Sequence, residues 1–309
     1  FESLPPRLAE YIALGEKIKD APEIVEIKNT LESGLIYGIA NPSIYMAIVG
    51  PSYMGKTQSA HALLHIMENV FYVNFSLLTT QNQTQFQEIY LPFVNISELF
   101  HQCVKSDCNT FPTEFLPLSA SSIMKGNYRL KTLGLLLNLL KMERSGTVSE
   151  RMLRYINTKS VSLKPLSPVE FYTEVRNFGF DLSKSVVFID ELVQNSNTVK
   201  ILRNICRAVH FPVILSGTNA KVQNLIATGD ILMSRSGDSL PWVQVVTKLP
   251  KAKLSSIGTL VSFKPVETDT VTTLNDFITP TGSSIGYSAL SRVLLSEQDL
   301  RTVDWNYLE

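Results

Sequence analysis

The chain has 309 residues, 44% of them apolar, enough for a sizeable core and one or two domains. Lys plus Arg number 28 and Asp plus Glu 28, a formal net charge of zero. No global basic field therefore advertises nucleic acid, and such a partner would need a local groove. Three cysteines (Cys103, Cys108 and Cys206) are too few and too odd in number for a disulfide framework. They fit a reducing intracellular setting, cytoplasmic or nuclear. A chain that opens at Phe1 rather than Met is compatible with a piece of a longer protein, so the lack of a signal-like segment decides nothing. The most apolar run, Leu133–Leu140, is far too short to span a bilayer and is flanked by Lys131, Lys141 and Arg144, so no membrane partner is expected.

In chain order, residues 1–42 read as a helical lead-in, with Leu8, Tyr11, Ile12 and Ile18 at helical spacing and a second amphipathic stretch from Ile24 to Leu35. "SIYMAIVG" (Ser43–Gly50) has the unbroken apolar and β-branched character of a strand buried on both faces. After a glycine-containing turn, "KTQSAHALLHIMENV" is helical in period, and "VFYVNF" (Val70–Phe75) supplies a second strand. Residues 76–166 loosen into a Gln/Asn/Thr-rich stretch and then leucine-rich segments, which predicts a mainly helical insertion. A helix is expected at Pro168–Phe178, a strand at Ser185–Asp190, a helix at Thr198–His210 and a strand at Phe211–Ser216. A helix near Lys221–Ala227 and a last strand at Trp242–Pro250 complete the pattern. Strands alternating with helices predict an α/β fold with a mostly parallel sheet covered on both faces. Residues 43–250 form that domain, and 251–309 read as a C-terminal segment, the start of a lid or second domain.

The turn after the first strand, "GPSYMGKT" (Gly50–Thr57), fits G-x-x-x-x-G-K-[ST] at every fixed position. Such a match arises by chance in roughly one chain in a hundred of this length. Its neighbourhood decides, and a strand before it and a helix after it are the context a phosphate loop needs. In such a loop Gly50, Pro51, Ser52, Tyr53, Met54, Gly55, Lys56 and Thr57 wrap a phosphate with the loop's backbone N–H groups pointing inward, and Gln58 follows on the helix as a further binding residue. Lys56 would reach the β- and γ-phosphates, and the Thr57 hydroxyl would hold Mg²⁺. The second element is "VVFIDEL": Asp190 and Glu191 end an apolar strand, at the mouth of a parallel sheet where ligands bind. Asp190 would serve Mg²⁺ and Glu191 would activate an attacking water. "VILSGTN" offers Ser216, Thr218 and Asn219, of which Asn219 is preferred as a γ-phosphate sensor, and "LMSRSGD" offers Arg235 to meet charge on the transferring phosphate. Arg203 and Arg207 are its rivals. His61 and His65 stand at i, i+4, and His101, Cys103 and Cys108 are loosely spaced, but neither set has the partners a metal centre requires.

With these four elements in this order, the chain resembles P-loop NTPases of the AAA+ and STAND-like type, and is similar to the ATPase modules of Crinkler-type effectors and retrotransposon hot spot proteins. The resemblance runs from about residue 43 to 250. It implies a five-strand parallel sheet in the order 5-1-4-3-2, with ATP and Mg²⁺ as ligands. It further implies ATP hydrolysis that drives remodelling of a protein or nucleic-acid partner. Arg235 falls where AAA+ clamp loaders carry a Ser-Arg finger, acting in its own subunit or in a neighbour's site of a homo-oligomer. The interval from Lys56 to Asp190 is longer than in compact AAA+ domains, and the tail carries no clear second sensor arginine. A nucleotide-gated switch with little turnover and a small-molecule kinase are the alternatives that the same motifs leave open.

Overall fold

A computed structural model describes residues 1–36, 45–49, 55–74, 87–111, 120–142, 145–158, 163–190, 197–217 and 244–250. Helices α1 (Pro6–Ile18) and α2 (Pro22–Ile36) precede strand β1 (Tyr45–Val49), helix α3 (Lys56–Leu63) and strand β2 (Asn69–Asn74). The insertion follows as α4 (Gln87–Tyr90), a 3₁₀ turn (Leu91–Phe93), α5 (Val94–Cys108), α6 (Ala120–Lys125), α7 (Lys131–Leu140) and α8 (Val148–Ile156). Then come α9 (Pro168–Asn177), β3 (Ser185–Asp190), α10 (Asn197–Ala208), β4 (Val213–Gly217) and β5 (Gln244–Val246). The described residues of this stretch are mainly helical.

The five strands form one sheet in the order β2-β3-β4-β1-β5, and every pairing is parallel. Read from the other edge, this is the 5-1-4-3-2 order that the resemblance implies. All six residues of β3 and all five of β4 are buried, which explains why these strands read as unbroken apolar runs rather than alternating ones. Apolar side chains of α1 and α2 (Leu8, Ile12, Ile24, Ile27 and Leu31) belong to the same core cluster as the strands. Helix α1 lies directly on α3. An added Cβ on Gly15 would stand 2.6 Å from the His61 carbonyl carbon, so only glycine permits this approach. Two helix starts are built from local chemistry. Thr147 with Glu150, and Ser167 with Glu170, form reciprocal capping boxes at α8 and α9. Buried Asp107 on α5 accepts from the Lys131 and Thr132 backbone N–H groups at 2.7 and 2.9 Å, capping α7 from another helix.

Several boundaries differ from the sequence-based expectation by a residue or two, and three of the differences bear on how the sheet edge is built. The helix after the glycine turn ends at Leu63, because His65 and Ile66 bond back only three residues and tighten the chain into turns before β2. Strand β4 starts at Val213 rather than Phe211. Pro212 has no N–H for a ladder, and only its carbonyl is used, by the Val187 N–H at 3.0 Å. Among the described residues, strand β5 and its pairing to β1 cover Gln244–Val246, and residues 247–250 run on outside the strand.

Candidate functional site

Parallel pairing places the C-terminal ends of the strands along one edge of the sheet. Asn74 is in register with Asp190, and Ser216 and Gly217 are in register with Ile48 and Val49 at the end of β1. Helix α3 begins at this edge. Its N-cap, Gly55, has φ +85°, in the left-handed region where glycine carries no steric cost, so the chain turns sharply from loop into helix. Lys56 and Thr57 are therefore the first two residues of α3, at its positive end.

The structure joins Thr57 to Asp190. The Thr57 hydroxyl donates to Asp190 Oδ2 at 2.6 Å across 133 positions of sequence. Asp190 is buried, and two further hydroxyls serve it: Tyr72 donates to Oδ2 at 2.8 Å, and Ser216 donates to Oδ1 at 2.8 Å. Strands β2, β3 and β4 and helix α3 thus converge on one carboxylate. Three O–H donors offset the hydration that this buried carboxyl group gives up on folding. Tyr90, the last residue of α4, brings its hydroxyl to 3.4 Å from Thr57 Oγ1.

Tyr72 is held on several sides. Its ring lies 4.6 Å from Phe93, 5.9 Å from Phe188 and 6.0 Å from His61, and its backbone carbonyl accepts from the Tyr155 hydroxyl at 2.8 Å. Burial, followed by the negative charge of Asp190, pushes its phenol well above the usual tyrosine range, so it remains an O–H donor. Lys56 is buried too, at 5% exposure, an unusual setting for a lysine and one in keeping with a built site rather than a solvated turn. The Gln58 side chain is turned the other way, donating to the Tyr11 carbonyl on α1 at 2.8 Å.

Of the residues singled out from the sequence, Gly55, Lys56, Thr57, Asp190 and Ser216 meet at this edge. Gly50, Pro51, Ser52, Tyr53, Met54, Glu191, Thr218, Asn219 and Arg235 lie outside the described residues. Arg203 and Arg207 sit half-buried on α10, which packs against α5, α6 and α7. His61 on α3 and His65 in the turn after it do not converge. His65 contacts the Ile12 carbonyl through Nε2 at 2.9 Å, whereas His61 is buried among Tyr11, Tyr72 and Phe93. Burial, and secondarily His65, lowers the His61 pKa to about 4. Cys103 is likewise buried, its thiol pushed up to about 12, first by desolvation and then by Asp107. Among the described residues no group of three or more His, Cys, Asp or Glu side chains could hold a metal ion. Tyr72 and Tyr90 are the site residues that sequence reading missed. A tyrosine inside a strand buried on both faces must find a partner for its hydroxyl, and that requirement was the available signal.

The hard oxygen donors Thr57 and Asp190, adjacent at a helix N-terminus, fit Mg²⁺ accompanied by phosphate oxygens. Among the described residues no helix is long and apolar enough to cross a membrane. No family model, no curated protein and no solved structure matches the chain.

Proposed function

We propose that the chain binds ATP with Mg²⁺ at the C-terminal edge of its sheet and hydrolyses it, driving a conformational or remodelling step. The observation that carries this reading is the 2.6 Å bond between Thr57, in the first turn of α3, and Asp190, at the end of β3. The sequence alone puts these two residues in separate motifs. Their meeting, next to a left-handed Gly55 and a buried Lys56, is what a phosphate-binding turn and its carboxylate strand require. The Thr57 hydrogen is directed at Asp190, which leaves oxygen lone pairs of Thr57 for a cation.

In this reading the backbone N–H groups of Gly50 and of residues 52–57 cradle the phosphates and Lys56 offsets their charge. Bound Mg²⁺ would neutralise charge on the β- and γ-phosphate oxygens. Thr57 and Asp190 hold the ion, Glu191 orients and deprotonates the attacking water, and Asn219 and Arg235 face the transferring group. Base preference for adenine rests on the family resemblance.

The test is phosphate release from Mg-ATP by the wild-type chain beside Glu191→Gln, with nucleotide binding measured on both. The expected result is a loss of turnover of at least ~100-fold in the variant while binding persists. Binding without turnover in the wild type would replace hydrolysis by a nucleotide-gated switch. Phosphate transfer to an added small acceptor would replace it by a kinase.

A further inference from the structure

The pair Thr57–Asp190 is enclosed by two tyrosines that no part of the nucleotide reading requires. Both belong to the segment leading into and through the insertion. Tyr72 lies on β2, and Tyr90 ends α4, three residues before Phe93. Phe93 packs edge-on against the Tyr72 ring at 4.6 Å, so the two tyrosines are mechanically joined. The start of α5 is fixed to the same strand, where the Ser97 hydroxyl accepts from the Asn74 backbone N–H at 3.0 Å.

The hydrogen-bond directions follow from chemistry. Asp190 as a carboxylate can only accept, so the single hydroxyl hydrogen of Thr57 is committed to it at 2.6 Å. In the approach of Tyr90 to Thr57, at 3.4 Å, Tyr90 is then the donor and a Thr57 lone pair the acceptor. That oxygen is also the one a cation would use. A phenolic hydrogen aimed at it presents the positive end of an O–H dipole to the same space.

Resting on the nucleotide reading above, we propose that Tyr72 and Tyr90 couple the helical insertion to metal loading at Thr57. Tyr72 is a positioning residue that fixes Asp190 from β2. Tyr90 caps Thr57, and a cation held there would displace that hydrogen bond and so release the hold of the 87–93 segment on α3. The insertion thereby reads whether the site carries metal-bound nucleotide.

The experiment titrates ADP into wild type, Tyr72→Phe and Tyr90→Phe, with Mg²⁺ and again with EDTA, so that no turnover enters the readout. Thermal unfolding of each variant confirms its fold. The proposal expects Tyr90→Phe to bind Mg-ADP about three- to tenfold more tightly, and Tyr72→Phe more weakly by a similar factor, as one hydrogen bond dictates. With EDTA all three should agree within about twofold. A merely structural role would move binding equally in both conditions. Should Tyr72→Phe fail to fold, the opposite-signed effect of Tyr90→Phe decides alone. Equal Mg²⁺ dependence in all three proteins overturns the coupling while leaving nucleotide binding intact. A wild-type chain that binds no ADP overturns the nucleotide reading and the coupling together.

Discussion

His61 shows how a single buried side chain sets a pH dependence. Neither ring nitrogen has a hydrogen-bond partner among the described residues, and burial holds the pKa at about 4 against an ordinary 6.5. Between pH 6.5 and 4 the unfolded chain binds a proton at this position that the folded chain does not. Stability is therefore fully present above pH 6.5 and is lost as pH falls toward 4, by about 3 kcal/mol in total. His210, also lowered by burial, adds in the same direction. His61→Leu fills a similar volume without a titratable group. Urea unfolding at pH 7 and pH 5 should show a smaller drop in midpoint for this variant than for the wild type. An equal drop would mean that His61 is not the source.

At the scale of elements, the glycine in α1 is the sharpest example of packing that dictates residue type. A Cβ at Gly15 meets backbone atoms of His61 and Ala62 at 2.6 to 2.9 Å, and backbone cannot rotate away as a side chain could. Gly15→Ala gains up to ~1 kcal/mol of helix propensity, but overpacking of this kind costs ~1–3 kcal/mol. A net loss of about 1 kcal/mol or more is expected in urea unfolding, and a stabilised variant would contradict the close approach of α1 to α3. The elements themselves were legible to different degrees. Strands β3 and β4 could be read because burial on both faces leaves a continuous apolar run ending in polar residues, and α9 because Ser167, Pro168 and Glu170 spell a helix start. The early end of α3 was not legible, since His65, Ile66 and Met67 continue a helical pattern that the turn into β2 overrides. Nor was the role of Asp107 in capping α7, because that bond crosses from one helix to another.

At the scale of the whole molecule, the parallel sheet is what turns distant sequence motifs into one site. Thr57 and Asp190 were each legible as candidates from their own surroundings, and Ser216 was one of three polar residues ending its strand. That all of them meet on one carboxylate follows from β3 lying between β2 and β4, with β1 beyond β4. Tyr90 could not be placed there from sequence, since its position depends on how the segment after β2 folds back over that strand, whereas Tyr72 is placed by the pairing of β2 with β3. We propose that this convergence is a site for metal-bound nucleotide. It is tested most directly by calorimetry of ATP binding to the wild type and to Thr57→Val, which keeps the side-chain shape and removes the hydroxyl, each with Mg²⁺ and with EDTA. Mg²⁺ should tighten wild-type binding at least ~tenfold, about 1.4 kcal/mol, and Thr57→Val should lose this gain while its metal-free binding is unchanged. No ATP binding by the wild type in Mg²⁺, or the same Mg²⁺ gain in Thr57→Val, would contradict it.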